Sequence, residues 1–334
     1  MPPTTAFLLH EAAALHDTGW AHPEHQGRLR ALSSTVGRDM LALHGRVEQI
    51  SGGGATVEDL LRVHTEAHVA RVRAAVERAG ESGEVLSLDE DTRVSQASWD
   101  AALGSMGAAL TAAGAVATGE YRNAFVATRP PGHHATPDRA MGFCLFNHVA
   151  ATARWLQHHG HADRVLIVDW DVHHGNGTQD IFWRDPTVFF LSLQMFPHWP
   201  PGSGSARETG EGEGAGTTLN VPLPAGTGGE AYLDYFRRAM DDVLARFEPD
   251  FVLVSSGFDA LAGDPLGGLE LEPRDFHALT RALMLRAEEK CDGRLVALLE
   301  GGYDPRRTAL ATVAVIRALA GITEVDPTVP VASG

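Results

Sequence analysis

The sequence has only two cysteines, Cys144 and Cys291, too few for a disulfide framework. It is also short of positive charge. Lys and Arg number 27 against 43 Asp and Glu, a formal net charge of -16. A nucleic-acid binder shows a basic face, so this balance argues against that class. An acidic surface suits cationic ligands such as lysine side chains or polyamines, and equally serves to keep a cytosolic protein soluble. No uninterrupted apolar run reaches the length a bilayer needs. The nearest candidate, residues 101–118, is broken by Ser105, Thr111 and Gly114 and reads as a closely packed interior helix. The first apolar patch, residues 6–9, is too short for a signal h-region and lacks a basic flank. These absences lead to the expectation of a cytoplasmic protein with neither a membrane nor a nucleic acid as partner, and they imply no particular oligomeric state.

What is present is alternation. With 334 residues, 44% of them hydrophobic, the chain can bury a large core. Five short runs, 124–127, 165–169, 188–191, 251–255 and 295–299, are apolar on both faces and end in Gly, Pro or charge. Such runs suit a parallel sheet covered on both sides. Helical patterns fill the intervals at 146–159, 229–247, 273–290 and 307–319. Strand–helix alternation predicts a doubly wound, mainly parallel α/β fold. No linker interrupts residues 1–334, which are expected to form one domain with a loose tail over 322–334. The Gly-rich segment 202–216 reads as a long surface loop, a length that often serves function.

In an open parallel sheet, ligands bind beyond the carboxyl ends of the strands. Four strand ends carry reactive groups: Arg129-Pro-Pro-Gly-His-His-Ala135, Asp169-Trp-Asp-Val-His-His-Gly-Asn-Gly177, Ser256-Gly-Phe-Asp259 and Glu300-Gly-Gly-Tyr303. If those strands are neighbours, all of these groups face one cleft. Asp171, His173 and Asp259 would supply the three protein ligands of a catalytic zinc site. Residues i and i+2 of an extended segment point the same way, which suits Asp171 and His173. Iron or cobalt could occupy the same donor set.

Those motifs, with His22-Pro-Glu24, Arg62-Val-His-Thr-Glu-Ala-His68, Gly142-Phe-Cys-Leu-Phe-Asn147 and Gly257-Phe-Asp-Ala260, resemble the histone deacetylase family, in particular the class II and bacterial deacetylase-like amidohydrolases. The resemblance runs through nearly the whole chain. It implies an arginase/deacetylase-like three-layer α/β/α fold, and a zinc-dependent deacetylase that removes acetyl or other short acyl groups from the lysine side chains of proteins or peptides. It also implies a zinc held by Asp171, His173 and Asp259, and a tandem pair, His133 and His134, beside the attacking water. In this scheme Asp169 and Asn176 orient the pair, and Tyr303 hydrogen-bonds the acyl oxygen. A structural potassium is implied at Asp169, Ser192 and Leu193, with a second monovalent site along Phe182, Asp185 and Val188.

For the substrate, the resemblance places the Gly142 carbonyl on the amide N–H and Phe143 on one wall of an acyl-lysine tunnel. The second aromatic wall is Trp199 or Phe196. Leu266 stands at a rim position where polyamine deacetylases of the class II type carry Glu, which favours acyl-lysine over acetylpolyamines or another small acylated amine. Asp91 is a rim carboxylate that would grip a backbone N–H or a substrate ammonium.

Overall fold

The computed structural model describes residues 5–325. In chain order the elements are β1 (Thr5–Leu8), α1 (Gly27–Leu43), β2 (Val47–Ile50), α2 (Val57–Leu61), α3 (Glu66–Ser82), β3 (Leu86–Ser87), β4 (Arg93–Val94), α4 (Ser98–Ala117), β5 (Asn123–Val126) and α5 (His148–His158). There follow β6 (Val165–Asp169), α6 (Asn176–Phe182), β7 (Val188–Met195), β8 (Thr218–Leu223), α7 (Gly229–Arg246), β9 (Phe251–Ser256), α8 (Pro273–Cys291), β10 (Leu295–Leu299) and α9 (Pro305–Leu319). Eight strands form one sheet in the order β2-β1-β5-β10-β9-β6-β7-β8. Every pairing in it is parallel. The two-residue strands β3 and β4 form a separate antiparallel pair.

Side chains alternate across a strand, and here both sets are apolar. Phe125, Leu166, Val168, Val252, Val254 and Ala297 face one layer of helices, built from α1, α7, α8 and α9. Val126, Ile167, Phe190, Leu253 and Val296 face the other, where α3, α4 and α5 pack. This is the expected three-layer α/β/α arrangement. Among the described residues α4 is long and apolar enough to cross a membrane, and it is largely buried inside the fold. Its glycines explain the close packing: a Cβ on Gly107 would stand 1.9 Å from the Gly53 carbonyl oxygen, and one on Gly104 would strike the His10 ring.

Local chemistry sets the helix ends, and two differ from expectation. The helix expected over 146–159 begins at His148, because the Asn147 side chain caps it by accepting the Ala150 N–H at 3.0 Å. Phe146 stays in the preceding loop. The helix expected from 307 begins two residues earlier. Asp304 accepts the N–H groups of Arg306 and Arg307, and Pro305 takes the first turn, where its missing N–H costs nothing. Residues 322–325 are attached rather than loose: Ile322 is buried, its carbonyl lies 2.8 Å from His277 Nε2, and Arg317 Nη1 donates to the Glu324 carbonyl. The rest of the expected tail, 326–334, lies outside the described residues.

The strand order decides where the chemistry goes. Strands β5, β10, β9, β6 and β7 are consecutive neighbours. Their carboxyl ends deliver the tandem histidines, Tyr303, Asp259, the Asp-x-Asp-x-His segment and the loop carrying Trp199. All of them point to the same edge of the sheet.

Candidate active site

β6 ends at Asp169 and the chain bends through residues 171–173, which brings Asp171 and His173 against β9. His173 Nδ1 lies 3.0 Å from Asp171 Oδ1 and 3.1 Å from Asp259 Oδ2. The three donor atoms lie within 4.8 Å of one another, and all three residues are buried. One imidazole and two carboxylates at this spacing suit a zinc ion that keeps a further position open for water or substrate. The electrostatics ask for a cation as well. Burial first, and then the charge of Asp171, pushes the Asp259 carboxyl up to about 7. The ligands are locked by their surroundings: Asp259 Oδ1 accepts the Val172 N–H at 2.8 Å and Asp171 Oδ2 accepts the Gly301 N–H at 2.9 Å. A Cβ at Gly301 would lie 2.1 Å from Asp259 Oδ2, so only glycine lets the β10 loop approach this closely.

The loop after β5 brings in the tandem pair. His133 Nδ1 lies 2.9 Å from Asp169 Oδ2, and His134 Nδ1 lies 2.9 Å from Asn176 Oδ1. The two environments separate the two rings. Burial opposes a charge on His133, but Asp169, Asp171 and Glu300 outweigh it and hold the ring up at about 10. Burial lowers His134 far below its usual range, and the neighbouring charge of His133 adds to that. The surroundings thus favour a charged ring at His133 and a neutral one at His134. Burial, then the charge of Asp259, keeps the Tyr303 hydroxyl protonated.

A cavity of about 230 Å³ opens above this floor of His134, His173 and Tyr303. All five sequence-predicted substrate residues line it: Gly142, Phe143, Trp199, Leu266 and Asp91. Trp199 stands edge-on to His134, with ring centroids 4.6 Å apart. Phe143 stands edge-on to Tyr303 at 5.6 Å. Phe196, the competing aromatic, is not among the walls and is 37% exposed. Gly142 and Phe143 both have positive φ, 55° and 67°. For Gly142 the reason is steric, since a Cβ would lie 2.6 Å from both His134 and Trp199. Phe143 accepts a left-handed conformation, a cost of about 1–2 kcal/mol. Asp91 is half-buried at the mouth. Burial, and then Asp89, raises its carboxyl. Asp89 itself closes a turn by accepting the N–H groups of Asp91 and Thr92.

Two of the residues expected to hold potassium lie side by side. Asp169 and Ser192 are register partners on β6 and β7, both fully buried. The Ser192 hydroxyl is buried without a hydrogen-bond partner. Such an orphan oxygen is what a coordinated cation would satisfy.

Three contributors escaped the sequence reading. His198 lines the cavity, stacks on His173 with centroids 4.9 Å apart, and its Nε2 lies 3.0 Å from the Leu266 carbonyl. Arg28 donates to the carbonyls of Gly302 and Glu300 at 2.7 and 2.5 Å, and its guanidinium carbon lies 5.0 Å from the centre of the Tyr303 ring. Glu24 pairs with both Arg28 and Arg129, at 2.9 and 2.7 Å. The only available signal was the His22-Pro-Glu24 motif, which spacing alone could not connect to a loop some 275 positions away.

Comparison with known proteins agrees with this geometry. Residues 22–319 match the histone deacetylase domain. A probable deacetylase of Archaeoglobus fulgidus is 38% identical over 318 residues, 95% of this chain and 86% of that protein. A histone deacetylase-like amidohydrolase of Pseudomonas aeruginosa is 40% identical over 300 residues, 90% of this chain and 76% of that protein. Among solved structures, the HD domain of HDA15 superposes with a TM-score of 0.88 at 36% identity, covering 98% of this chain and 90% of that one. With a domain match over most of its length and relatives at this identity, the chain belongs to the histone deacetylase family of amidohydrolases.

Proposed function

We propose that this protein is a zinc-dependent deacylase that removes acetyl or other short acyl groups from lysine side chains of proteins or peptides. The observation that carries the reading is the narrow cavity itself. Apolar walls of Phe143, Trp199 and Leu266 lead to a floor of His134, His173 and Tyr303. A lysine stem is apolar and its acylated end is polar, so a greasy shaft ending in donors and acceptors matches it.

Zinc, held by Asp171, His173 and Asp259, would supply Lewis acidity toward the acyl carbonyl and lower the pKa of the attacking water. The chain's own residues do the rest. Neutral His134 takes the water proton and passes it to the departing amine. His133 stays charged beside Asp169 and stabilises the negative charge that develops on the acyl oxygen. Tyr303 donates its hydroxyl to the same oxygen. The Gly142 carbonyl accepts the substrate amide N–H, and Asp91 takes a backbone N–H at the mouth. Potassium at Asp169, Ser192 and Leu193, with a second ion near Phe182, Asp185 and Val188, would brace the segment carrying the zinc ligands. We further propose that residues 1–334 act as one catalytic domain in the cytoplasm.

One observation favours a second reading, an acetylpolyamine amidohydrolase. Asp91 puts a carboxylate at the mouth, where a distal ammonium would bind. Against it, Leu266 offers that ammonium no charge. The test is kcat/KM of the zinc-loaded enzyme on an acetyl-lysine peptide and on acetylspermidine or acetylputrescine, with and without chelator. We expect peptide preference and loss of turnover with chelator. Polyamine preference would replace the first reading with the second, and chelator-resistant turnover would overturn both.

A further inference from the structure

Glu300 opens the Gly-Gly-Tyr turn, and beyond its share in the charge around His133 the chemistry proposed above gives it no part. Its side chain is 1% exposed. From the end of β10 it reaches beneath the neighbouring β5 loop. Oε2 accepts the N–H groups of Gly132 at 2.6 Å and His133 at 3.2 Å, and Oε1 accepts the Ser255 hydroxyl of β9 at 3.0 Å. The backbone of Glu300 is held as firmly. Its N–H donates to the Ser256 carbonyl at 3.2 Å, and its carbonyl accepts Arg28 Nη2. One residue therefore carries the Tyr303 loop on its main chain and the tandem-histidine loop on its side chain.

Asp169 and Asn176 hold the two rings but not the backbone that bears them. That backbone is gripped from one side by Glu300 and from the other by Thr178, whose N–H donates to the His133 carbonyl at 3.1 Å. The grip needs only acceptor oxygens: burial pushes the Glu300 carboxyl up to about 7, and Oε2 still accepts both amides. Glycine is required at the contact, since a Cβ on Gly132 would lie 2.8 Å from the His148 nitrogen. The loop cannot simply swell to fill a gap left by a shorter acid.

We infer that Glu300 is a positioning residue that couples the His133–His134 loop to the Tyr303 loop, so that proton carrier and oxyanion donor meet the same acyl group in register. The inference rests on the deacylase reading for its kinetic consequence but not for its geometry. Glu300→Gln keeps the volume and one acceptor oxygen and turns the other acceptor into an amide donor. Ser255→Ala removes a single bond to the same carboxylate. Both variants and the wild type would be compared by kcat and KM on an acetyl-lysine peptide, by melting temperature, and by the downfield imidazole N–H resonance of His133, assigned through its loss in His133→Ala.

For Glu300→Gln we expect kcat to fall about tenfold or more with KM within about twofold, because a small misplacement of reacting groups costs rate rather than binding. Ser255→Ala should lose less, and the His133 resonance should shift in Glu300→Gln. Wild-type kcat with an unshifted resonance overturns the inference. So does a collapsed melting temperature with kcat and KM impaired together, which would mark Glu300 as a support of the fold alone. If the wild type hydrolyses no acyl-amine, the deacylase reading fails, and the His133 resonance still decides the positioning role without any substrate.

Discussion

His133 and His134 are adjacent in sequence, with ring centroids 3.9 Å apart, yet their surroundings push their proton affinities in opposite directions. Asp169, Asp171 and Glu300 surround His133, whereas burial dominates at His134 and no carboxylate bonds its ring. A carboxylate faces His133, and an amide oxygen, which carries no charge, faces His134. Replacing His134 by Ala should therefore abolish turnover, while His133→Ala should leave a weak residual rate; steady-state kinetics on an acyl-lysine substrate checks the order. Tyr303→Phe should cost about 10²–10³ in kcat, the usual loss for one oxyanion donor, with little change in KM. At this scale most of the candidate site was legible, because zinc-type ligands at strand ends stand out by residue type. His198, Arg28 and the part played by Glu24 were not, since a histidine in a loop or an arginine in a helix has many ordinary reasons to exist. Only the folded distances single them out.

Among the elements, the first turn of α1 and the loop before it form a buried polar brace behind Tyr303. Burial alone would raise the Glu24 carboxyl, but Arg129 and then Arg28 outweigh it and hold the carboxyl below its usual 4.5. A carboxyl depressed in the folded state stabilises above its unfolded pKa, and that stabilisation is lost as pH falls through the folded value. Urea denaturation from pH 7 down to pH 3 should thus show wild-type stability falling with acid, and Glu24→Gln should flatten that slope. At neutral pH the same variant should lose about 3–5 kcal/mol, because it leaves two buried guanidiniums short of a partner. The five expected strands are all present because both of their faces are apolar. Strands β1, β2 and β8 were illegible for different reasons. β1 has four residues and passes for an isolated apolar patch. β2, Val-Glu-Gln-Ile, has two exposed polar residues at the sheet edge. β8 contains Pro222, which pattern reading penalises and an edge strand tolerates.

For the molecule as a whole, strand order is the fact that sequence could not supply. Alternation announces a parallel sheet, but only the pairing shows that β10 and β9 lie between β5 and β6. That insertion gathers Asp169, Asp171 and Asp259 into a buried interior, where a bound cation would offset their repulsion. Removing the metal with a chelator should lower the melting temperature, and zinc should restore it. At a thousandfold excess over Kd the ion contributes about 4 kcal/mol, a shift that calorimetry resolves.

The same insertion bears on how the chain is made. Synthesis proceeds from the amino terminus, so β5 and β6 emerge long before the two strands that will separate them. Until residue 256 has left the ribosome β6 presents an apolar, hydrogen-bond-hungry edge with no legitimate neighbour, and β5 does so until residue 299. Such edges invite pairing with the wrong strand or with another nascent chain. A ribosome stalled near residue 250 would release a polypeptide with most of the sheet and two of the three metal donors, yet no enclosed site. Pulse-labelled intermediates of that length should be sensitive to protease and bound by chaperones, and protection should appear only once the last two strands are complete.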